Sequence, residues 1–373
     1  MSAIGFVATI FTVTLRAASA QKETAFAHAQ ELANSEGAKL LAQLDGTMDG
    51  ARTLARALLG MKVHGQPQRA EANALLQGFL EGTPTLLGTS TCWEPNAFDG
   101  NDAAWANKPV HDGTGRFIPW WYRAGSKIGT EKLVDYEKPG DGDWYLKARN
   151  SKQETIMEPY FYPVEGKQVL MTTVTVPILK DDKVLGVVTA DMPITGFQEI
   201  VARIKPYGSG YATLLSNAGV LVAHPDANRI NTDLGADASA MKAKEAIKEG
   251  RVHTYTGWDG QLKAQVYRVF VPLAVGHTTT PWAFSITVPM ERVLASVNRT
   301  RDIAIVLGIL CIAATSVILA WIIRRNILTP LGGEPGYAVS ITQAIAGGDL
   351  TVQVRRQNLD RTSLLASMDA MRE

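Results

Sequence analysis

The feature that most constrains this chain is an unbroken apolar run, "IAIVLGILCIAATSVILAWII", from Ile303 to Ile323. The run contains no charged side chain. At ~1.5 Å per residue, a helix of this length reaches ~31 Å, close to the ~30 Å hydrocarbon core of a bilayer. Arg324 and Arg325 follow the run, and basic residues at a membrane boundary favour the cytoplasmic side. The sequence therefore predicts a transmembrane helix over 303–323.

The N-terminus is apolar from Ala3 to Leu15, but it has no basic residues ahead of it. Two interpretations are open. The stretch is either a signal peptide with "AASAQ" as its cleavage site, or an incomplete first membrane helix over 1–18. The helical pattern continues without a break after Gln21, and this continuity favours the membrane helix. With two spans, residues from about 20 to 300 lie outside the cytoplasm.

The region between the two apolar stretches predicts an α+β fold. Apolar residues recur at helical spacing from about 17 to 62, which indicates one long helix. Strand-like segments follow, among them "DWYLKAR" and a hairpin from Val169 to Asp191 with a Lys-Asp-Asp-Lys turn. A second, smaller set of strands follows. We therefore expect two tandem antiparallel-sheet modules, a membrane-distal one over about 65–200 and a membrane-proximal one over about 205–295.

Two segments resemble a known family. "RRNILTPLGGEPGYAVSITQAIAGGDL" with "DRTSLLASMDAMR" is similar to the HAMP linker of bacterial methyl-accepting chemotaxis receptors, which would place a HAMP linker and the start of a signalling helix over 324–373. The region from about 25 to 295 resembles their double Cache sensor domain, a pair of PAS-like modules, and implies a periplasmic sensor over 19–300. The sequence lacks the family's methylated coiled coil, so we expect a fragment or a truncated receptor.

The resemblance also implies partners and a location. Receptors of this kind are homodimers of the bacterial inner membrane, and they work with a kinase and an adaptor where the signalling domain is present. The ligand sits in the membrane-distal module. In the amino-acid-binding subgroup, an Arg-Pro-Trp-Tyr element holds the ligand carboxylate. Here Pro119 and Trp120 match that element, Trp121 replaces its tyrosine, and Ile118 stands in the place of its arginine.

The subgroup holds the ligand amine with a later tyrosine, a nearby aspartate and a strand-ending aspartate. Tyr160 and Asp191 match the first and the last of these, and Tyr162 replaces the second. Without the arginine, the bidentate carboxylate clamp is lost. A carboxylate among aromatic faces suits a cation instead, so we expect a quaternary ammonium, a polyamine or a biogenic amine. The predicted ligand-binding residues are Trp93, Trp120, Trp121, Trp144, Tyr160, Tyr162 and Asp191.

Other interpretations of these residues and of the whole chain remain open. The ligand could be an α-amino acid held by Arg116 or Arg123, or the aromatic residues could be plain core and Asp191 a backbone cap. The chain could also be the sensor half of a histidine kinase or a diguanylate cyclase. A net charge of +1 gives no reason to expect nucleic acid. The six histidines show no metal-ligand spacing, so we expect no metal, no cofactor and no enzymatic activity.

Overall fold

The structure is a computed structural model that describes the backbone of residues 2–355 and 362–372, with side chains over 11–355 and 362–371. Parts of the predicted N-terminal span and HAMP linker fall on Met1, 356–361 and Glu373, outside the described residues. The chain divides into two compact units. One is Gln21–Leu294, and the other combines Met1–Ala20 with Ala295–Glu373.

A single helix, α1 (Ser2–His64), extends into the Gln21–Leu294 unit and forms its spine. Its buried residues recur every three or four positions, as an amphipathic helix requires, at Ala25, Ala29, Ala33, Leu40, Leu44, Met48, Ala51, Ala55 and Leu58. Small residues let neighbours approach closely. A Cβ added at Gly50 would lie 2.7 Å from the ring of Phe79, and one added at Gly37 would lie 3.3 Å from Leu273. The buried face of the helix shares one core with strands of both sheets of this unit.

The first module contains a seven-stranded antiparallel sheet and three helices. Its strands are β1 (Gly88–Trp93), β2 (Pro119–Ala124), β3 (Lys127–Lys132), β4 (Thr155–Ile156), β5 (Tyr160–Val164), β6 (Lys167–Lys180) and β7 (Lys183–Pro193). The order is β3-β2-β1-β7-β6-β4, and β5 also pairs with β6. Its helices are α2 (Arg69–Gly82), α3 (Asp143–Ser151) and α4 (Ile194–Arg203). The hairpin that the sequence predicts is β6 with β7.

The segment "DWYLKAR" is a correction, because it forms helix α3 and not a strand. Its buried residues are Trp144, Tyr145 and Ala148, which fall on one face of a helix. Two adjacent inward-facing aromatics would be impossible in a strand with one buried face. The helix covers the sheet and brings Trp144 over β6, where the Thr175 hydroxyl donates to the Trp144 carbonyl at 2.9 Å.

The second module contains a five-stranded antiparallel sheet and one helix. Its strands are β8 (Tyr211–Leu215), β9 (Leu221–Ala223), β10 (His253–Asp259), β11 (Ala264–Leu273) and β12 (Trp282–Pro289), in the order β10-β11-β12-β8-β9. Helix α5 (Ala238–Lys248) lies between β9 and β10 in the chain, and the sequence patterns above do not predict it. The α+β class with two sheet modules is confirmed.

The other unit is helical. It contains most of α6 (Met290–Ile323), then a π-helical turn (Arg324–Leu328), α7 (Thr329–Leu331), α8 (Pro335–Ala346) and α9 (Leu364–Arg372). Apolar side chains of α6 are exposed, with Ile309 at 62% and Val317 at 69%. Within the part of the chain that the structure describes, the stretch that includes α6 is long and apolar enough to cross a membrane. The predicted first span over 1–18 stays a prediction.

Candidate ligand-binding site

The strand register of the first module decides which aromatics share a surface. Side chains alternate between the two faces of a strand, and directly paired residues lie on the same face. Gly88 of β1 pairs with Tyr122 on one side and with Asp191 on the other. Ser90, two residues along, pairs with Trp120. Trp120, Tyr122 and Asp191 therefore lie together on the face that α3 covers.

Asp191 is buried, with both carboxylate oxygens occupied by neutral donors. The Trp120 indole N–H donates to Oδ2 at 2.9 Å, and the Thr173 hydroxyl donates to Oδ1 at 2.8 Å. The Tyr160 hydroxyl lies 2.6 Å from Thr173 Oγ1. A threonine hydroxyl has one proton, and Thr173 donates that proton to Asp191. The Tyr160 hydroxyl is therefore the donor in its contact with Thr173. A directed chain of hydrogen bonds runs from Tyr160 through Thr173 to Asp191.

No arginine or lysine among the described residues pairs with Asp191. Burial raises its pKa above the ordinary value of 3.8, and the hydrogen bonds from Trp120 and Thr173 oppose that shift without cancelling it. The buried charge also acts on its neighbours. Burial and the charge of Asp191 raise the pKa of Tyr162 to about 12 and that of Tyr160 well above its usual range. Among the described residues, Asp191 is thus a buried carboxyl group without a charged partner of opposite sign.

Aromatic rings surround this centre. The ring of Trp120 lies 4.7 Å from that of Tyr122, stacked, and 5.0 Å from that of Tyr162, nearly edge-on. Tyr160 and Tyr162 are T-shaped at 6.4 Å. Rings packed against one another in this way are held in fixed directions.

A cleft of about 480 Å³ opens beside this cluster, and neither Trp120 nor Tyr122 is part of its lining. Trp144, Tyr160 and Tyr162 form part of its wall, while Asp191 lies behind Tyr160 through the hydrogen bonds of Thr173. The wall carries four carboxylates and one lysine, namely Asp135, Asp141, Asp143, Glu158 and Lys147. Its charge therefore has the same sign as that of Asp191.

Comparison with known proteins identifies the family. The family described as methyl-accepting chemotaxis protein-like, first PDC sensor domain, matches residues 73–199, which include every residue of the site just described. The methyl-accepting chemotaxis protein TlpQ of Pseudomonas aeruginosa is 26% identical over 317 residues, covering 77% of this chain and 43% of TlpQ. The chemotaxis protein PctB of the same organism is 27% identical over 237 residues, covering 62% of this chain and 35% of PctB.

Among solved structures, the extracellular domain of mmHK1S-Z3, described as a histidine kinase, is 30% identical with a TM-score of 0.67. The match covers 74% of this chain and 98% of that domain. Residues 73–199 of the chain therefore match the methyl-accepting chemotaxis protein-like sensor family. The chain spans less than half the length of these two curated relatives.

Two of the predicted ligand-binding residues, Trp93 and Trp121, lie on the face of the sheet opposite Asp191. Trp121 faces the opposite way from Trp120 and donates its indole N–H to Asn73 at 2.9 Å. Trp93 is fully buried on that same opposite face, with its ring 4.9 Å from the ring of Phe98. Strand alternation is the reason in both cases, and these two tryptophans belong to the core shared with α1.

The cluster also contains residues that the sequence predictions omit. Tyr122 and Thr173 join the cluster around Asp191, and Gly88 lies on the strand between Tyr122 and Asp191. A Cβ at Gly88 would lie 2.6 Å from Trp120 Nε1 and 2.8 Å from Asp191 Oδ2, so only glycine leaves room for that hydrogen bond. Tyr122 could have been found from its spacing of two residues from Trp120.

The two arginines considered for a carboxylate clamp already have hydrogen-bond partners in the first module. Arg116 is buried and donates to the Trp93 carbonyl at 2.7 Å, to Glu137 at 2.6 Å and to the Tyr145 hydroxyl at 2.8 Å. Arg123 donates to the Leu80 carbonyl at 2.6 Å, near the end of α2. Ile118, in the place of the subgroup's arginine, is fully buried and apolar.

Proposed function

We propose that this chain is the sensor and membrane part of a transmembrane chemoreceptor that binds a small organic cation in the cleft of its first module. The observation that carries the proposal is Asp191, a buried carboxylate with no cation beside it in the described residues, set behind a wall of aromatic rings. The four carboxylates of the cleft wall support the same sign of ligand charge. The ligand class is a quaternary ammonium, a polyamine or a biogenic amine.

The energetics are adequate for such a ligand. Each aromatic face within reach of a desolvated cation contributes roughly 0.5–2 kcal/mol. Trp144, Tyr160 and Tyr162 offer three such rings in the wall. A buried charge without a partner is costly, so a cation that approaches Asp191 gains the attraction that the folded protein does not itself supply. Together these terms are of the order needed for micromolar binding, about 8 kcal/mol.

The test is calorimetric titration of the full chain in detergent micelles. The probes are choline, betaine, putrescine and histamine, with L-leucine and L-glutamate for comparison. We expect at least one of the cations to bind at micromolar concentration and the amino acids to bind at least about tenfold more weakly. In Asp191→Asn, which keeps the shape of the side chain, cation binding should weaken at least about tenfold because the charge is lost.

Binding of the amino acids alone, with no response to any cation, would contradict the proposal. It would favour the second candidate, an amino-acid receptor. That candidate requires Arg116 or Arg123 to leave its present partners, and the carbonyls and carboxylate now bound to them would have to find other donors. Leucine titration of Arg116→Lys and Arg123→Lys separates the two candidates, because neither arginine contacts a cation in our proposal.

Several wider features belong to the same proposal. We place the sensor over 19–300 in the periplasm of a bacterium, the span over 303–323 in the inner membrane, and a HAMP linker over 324–373. A homodimer is the expected assembly. A chemotaxis kinase and its adaptor are the partners if a signalling domain follows, and a kinase or cyclase output is the alternative, since sensors of similar fold occur in proteins described as histidine kinases.

A further inference from the structure

Glu158 stands between the ligand cleft and the second module. It lies between β4 and β5, two residues before Tyr160, and it lines the cleft. Its Oε1 accepts a hydrogen bond of 3.0 Å from the backbone N–H of Ala218, in the turn between β8 and β9. Its Oε2 is buried and has no hydrogen-bond partner within 11–355 and 362–371. The Glu158 carboxylate thus lines the cleft of the first module and binds the second module through Oε1. Its Oε2 has no hydrogen-bond partner among the described residues.

An unsatisfied buried carboxylate oxygen costs free energy until a donor reaches it. We propose that Glu158 is the residue that couples the cleft to the second module, and this inference rests on the proposed function. An ammonium N–H of the ligand binds Oε2 while Oε1 keeps hold of Ala218. The ligand then strengthens the charge-assisted contact to the turn, because an occupied Glu158 has less freedom to move away from it.

The turn beyond Ala218 is itself tied to the strand that precedes the membrane helix. Within the turn, the Gly219 amide donates to the Ser216 carbonyl at 3.0 Å. The Asn217 side chain donates to the Pro281 carbonyl at 2.9 Å. Pro281 is followed directly by β12, and β12 is followed directly by α6 at Met290. A continuous set of bonds therefore joins the cleft to the start of α6.

A ligand can shift an equilibrium only by its different affinity for the two states, and such coupling is reciprocal. Two consequences follow. Occupancy of the cleft must change the opening of the turn at 216–220, and loosening Glu158 must change the affinity for the ligand. Hydrogen exchange and ligand titration measure these two consequences separately.

The experiment is hydrogen exchange on the full chain in detergent micelles, with putrescine as the probe. In the unchanged protein, we expect putrescine to slow exchange of the amides in 216–220 and in β12 at least about threefold. Glu158→Ala removes both contacts, so these amides should exchange faster even without putrescine, and putrescine should bind about tenfold more weakly. Glu158→Gln keeps an acceptor for Ala218, so exchange without putrescine should stay unchanged while affinity falls.

Two further variants sharpen the result. Asn217→Ala does not touch the cleft, so putrescine affinity should stay within about twofold while the response in β12 is lost. Glu199→Gln is the matched control, because Glu199 is an exposed carboxylate on α4 that does not line the cleft. It should behave as the unchanged protein. Choline, which has no N–H, should produce a smaller exchange response at 216–220 than putrescine does.

The outcomes separate the coupling from the binding. If the unchanged protein binds putrescine but 216–220 does not respond, the coupling through Glu158 is wrong and the proposed function stands. The same holds if Glu158→Ala keeps both the affinity and the exchange response. If no cation binds the unchanged protein, both proposals are overturned.

Discussion

The two modules of the sensor each bury a carboxylate on the inner face of an antiparallel sheet, and they treat its charge in opposite ways. In the second module, Asp259 forms an ion pair with the buried Arg268 and accepts from the Tyr211 hydroxyl at 2.6 Å. In the first, Asp191 meets only neutral donors, the indole of Trp120 and the hydroxyl of Thr173.

The pKa values of the two aspartates shift in opposite directions. Burial raises the pKa of Asp259, but the Tyr211 hydroxyl, two backbone amides and Arg268 outweigh it, so the pKa is lowered overall. At Asp191, burial prevails and the pKa is raised. In the second module, the buried charge of Asp259 is balanced by Arg268. In the first module, Asp191 has no cationic partner among the described residues, and this difference supports the proposal that a ligand cation binds there.

The largest effect is expected from removing the internal cation of the second module. Arg268→Met leaves Asp259 buried and unpaired, and loss of one partner of a buried ion pair typically costs about 3–5 kcal/mol. Urea unfolding of the full chain should show that loss in the second module. Arg268→Met combined with Asp259→Asn should recover most of it. If the single variant is as stable as the unchanged protein, the contrast between the modules loses its basis.

The next effect concerns pH and Asp191. Because its folded pKa is raised above 3.8, the folded protein keeps the proton over a pH range in which the unfolded chain has lost it. Its contribution to stability is therefore full below pH 3.8 and is lost as pH rises through the folded pKa. Cation affinity should change in the opposite direction, because the ligand favours the ionised carboxylate.

Calorimetry between pH 4 and 8 tests this sign. Affinity for the cation that binds best should fall by up to about tenfold per pH unit on the acid side of the folded pKa. Asp191→Asn removes the titrating group and should flatten this part of the profile. A profile that is equally steep in that variant would assign the pH dependence to other groups, such as the carboxylates of the cleft wall.

A smaller effect is expected at the glycine beneath the indole. Gly88→Ala places a Cβ against Trp120 Nε1 and Asp191 Oδ2, so the indole or the carboxylate has to move. Overpacking of this kind typically costs about 1–3 kcal/mol, and cation affinity should fall several-fold. Gly196→Ala is the control, because Gly196 is a helical glycine of α4 with open space at its Cβ position. That change should leave binding unaltered and raise stability slightly.

The last comparison separates the neighbouring tryptophans of β2. Trp120→Phe removes a donor to Asp191 and should weaken cation binding about tenfold. Trp121→Phe removes only the hydrogen bond to Asn73 on the opposite face, so binding should change less than about twofold. Titration of the two variants side by side measures the difference. Equal losses would mean that the face assignment of β2 is wrong.

The sequence predicts the parts of this fold that local patterns determine. The run of α6, the long amphipathic α1 and the β6–β7 hairpin each carry a periodicity or a turn signal of their own. Helix α3 is different. Its neighbouring Trp144 and Tyr145 look like strand residues until the sheet beneath them is known.

The site shows the same limit. Alternation already requires that Trp120 and Trp121 face opposite ways, but which of them faces Asp191 depends on pairing with β1 and β7. That pairing joins strands separated by up to a hundred residues of chain, so no local pattern contains it. The family resemblance predicts that Asp191 and Tyr160 share one surface. The places of Thr173 and Gly88 beside them are visible only in the folded sheet.

The joint between the second module and α6 has a mechanical consequence. Pro289 ends β12 and Met290 begins α6, so no loop separates the sheet from the helix. A flexible loop at this position would absorb a small displacement of the strand. Here the ring of Pro289 also fixes one backbone torsion at the joint. A stiff coupling of this kind transmits small movements that a flexible one would dissipate.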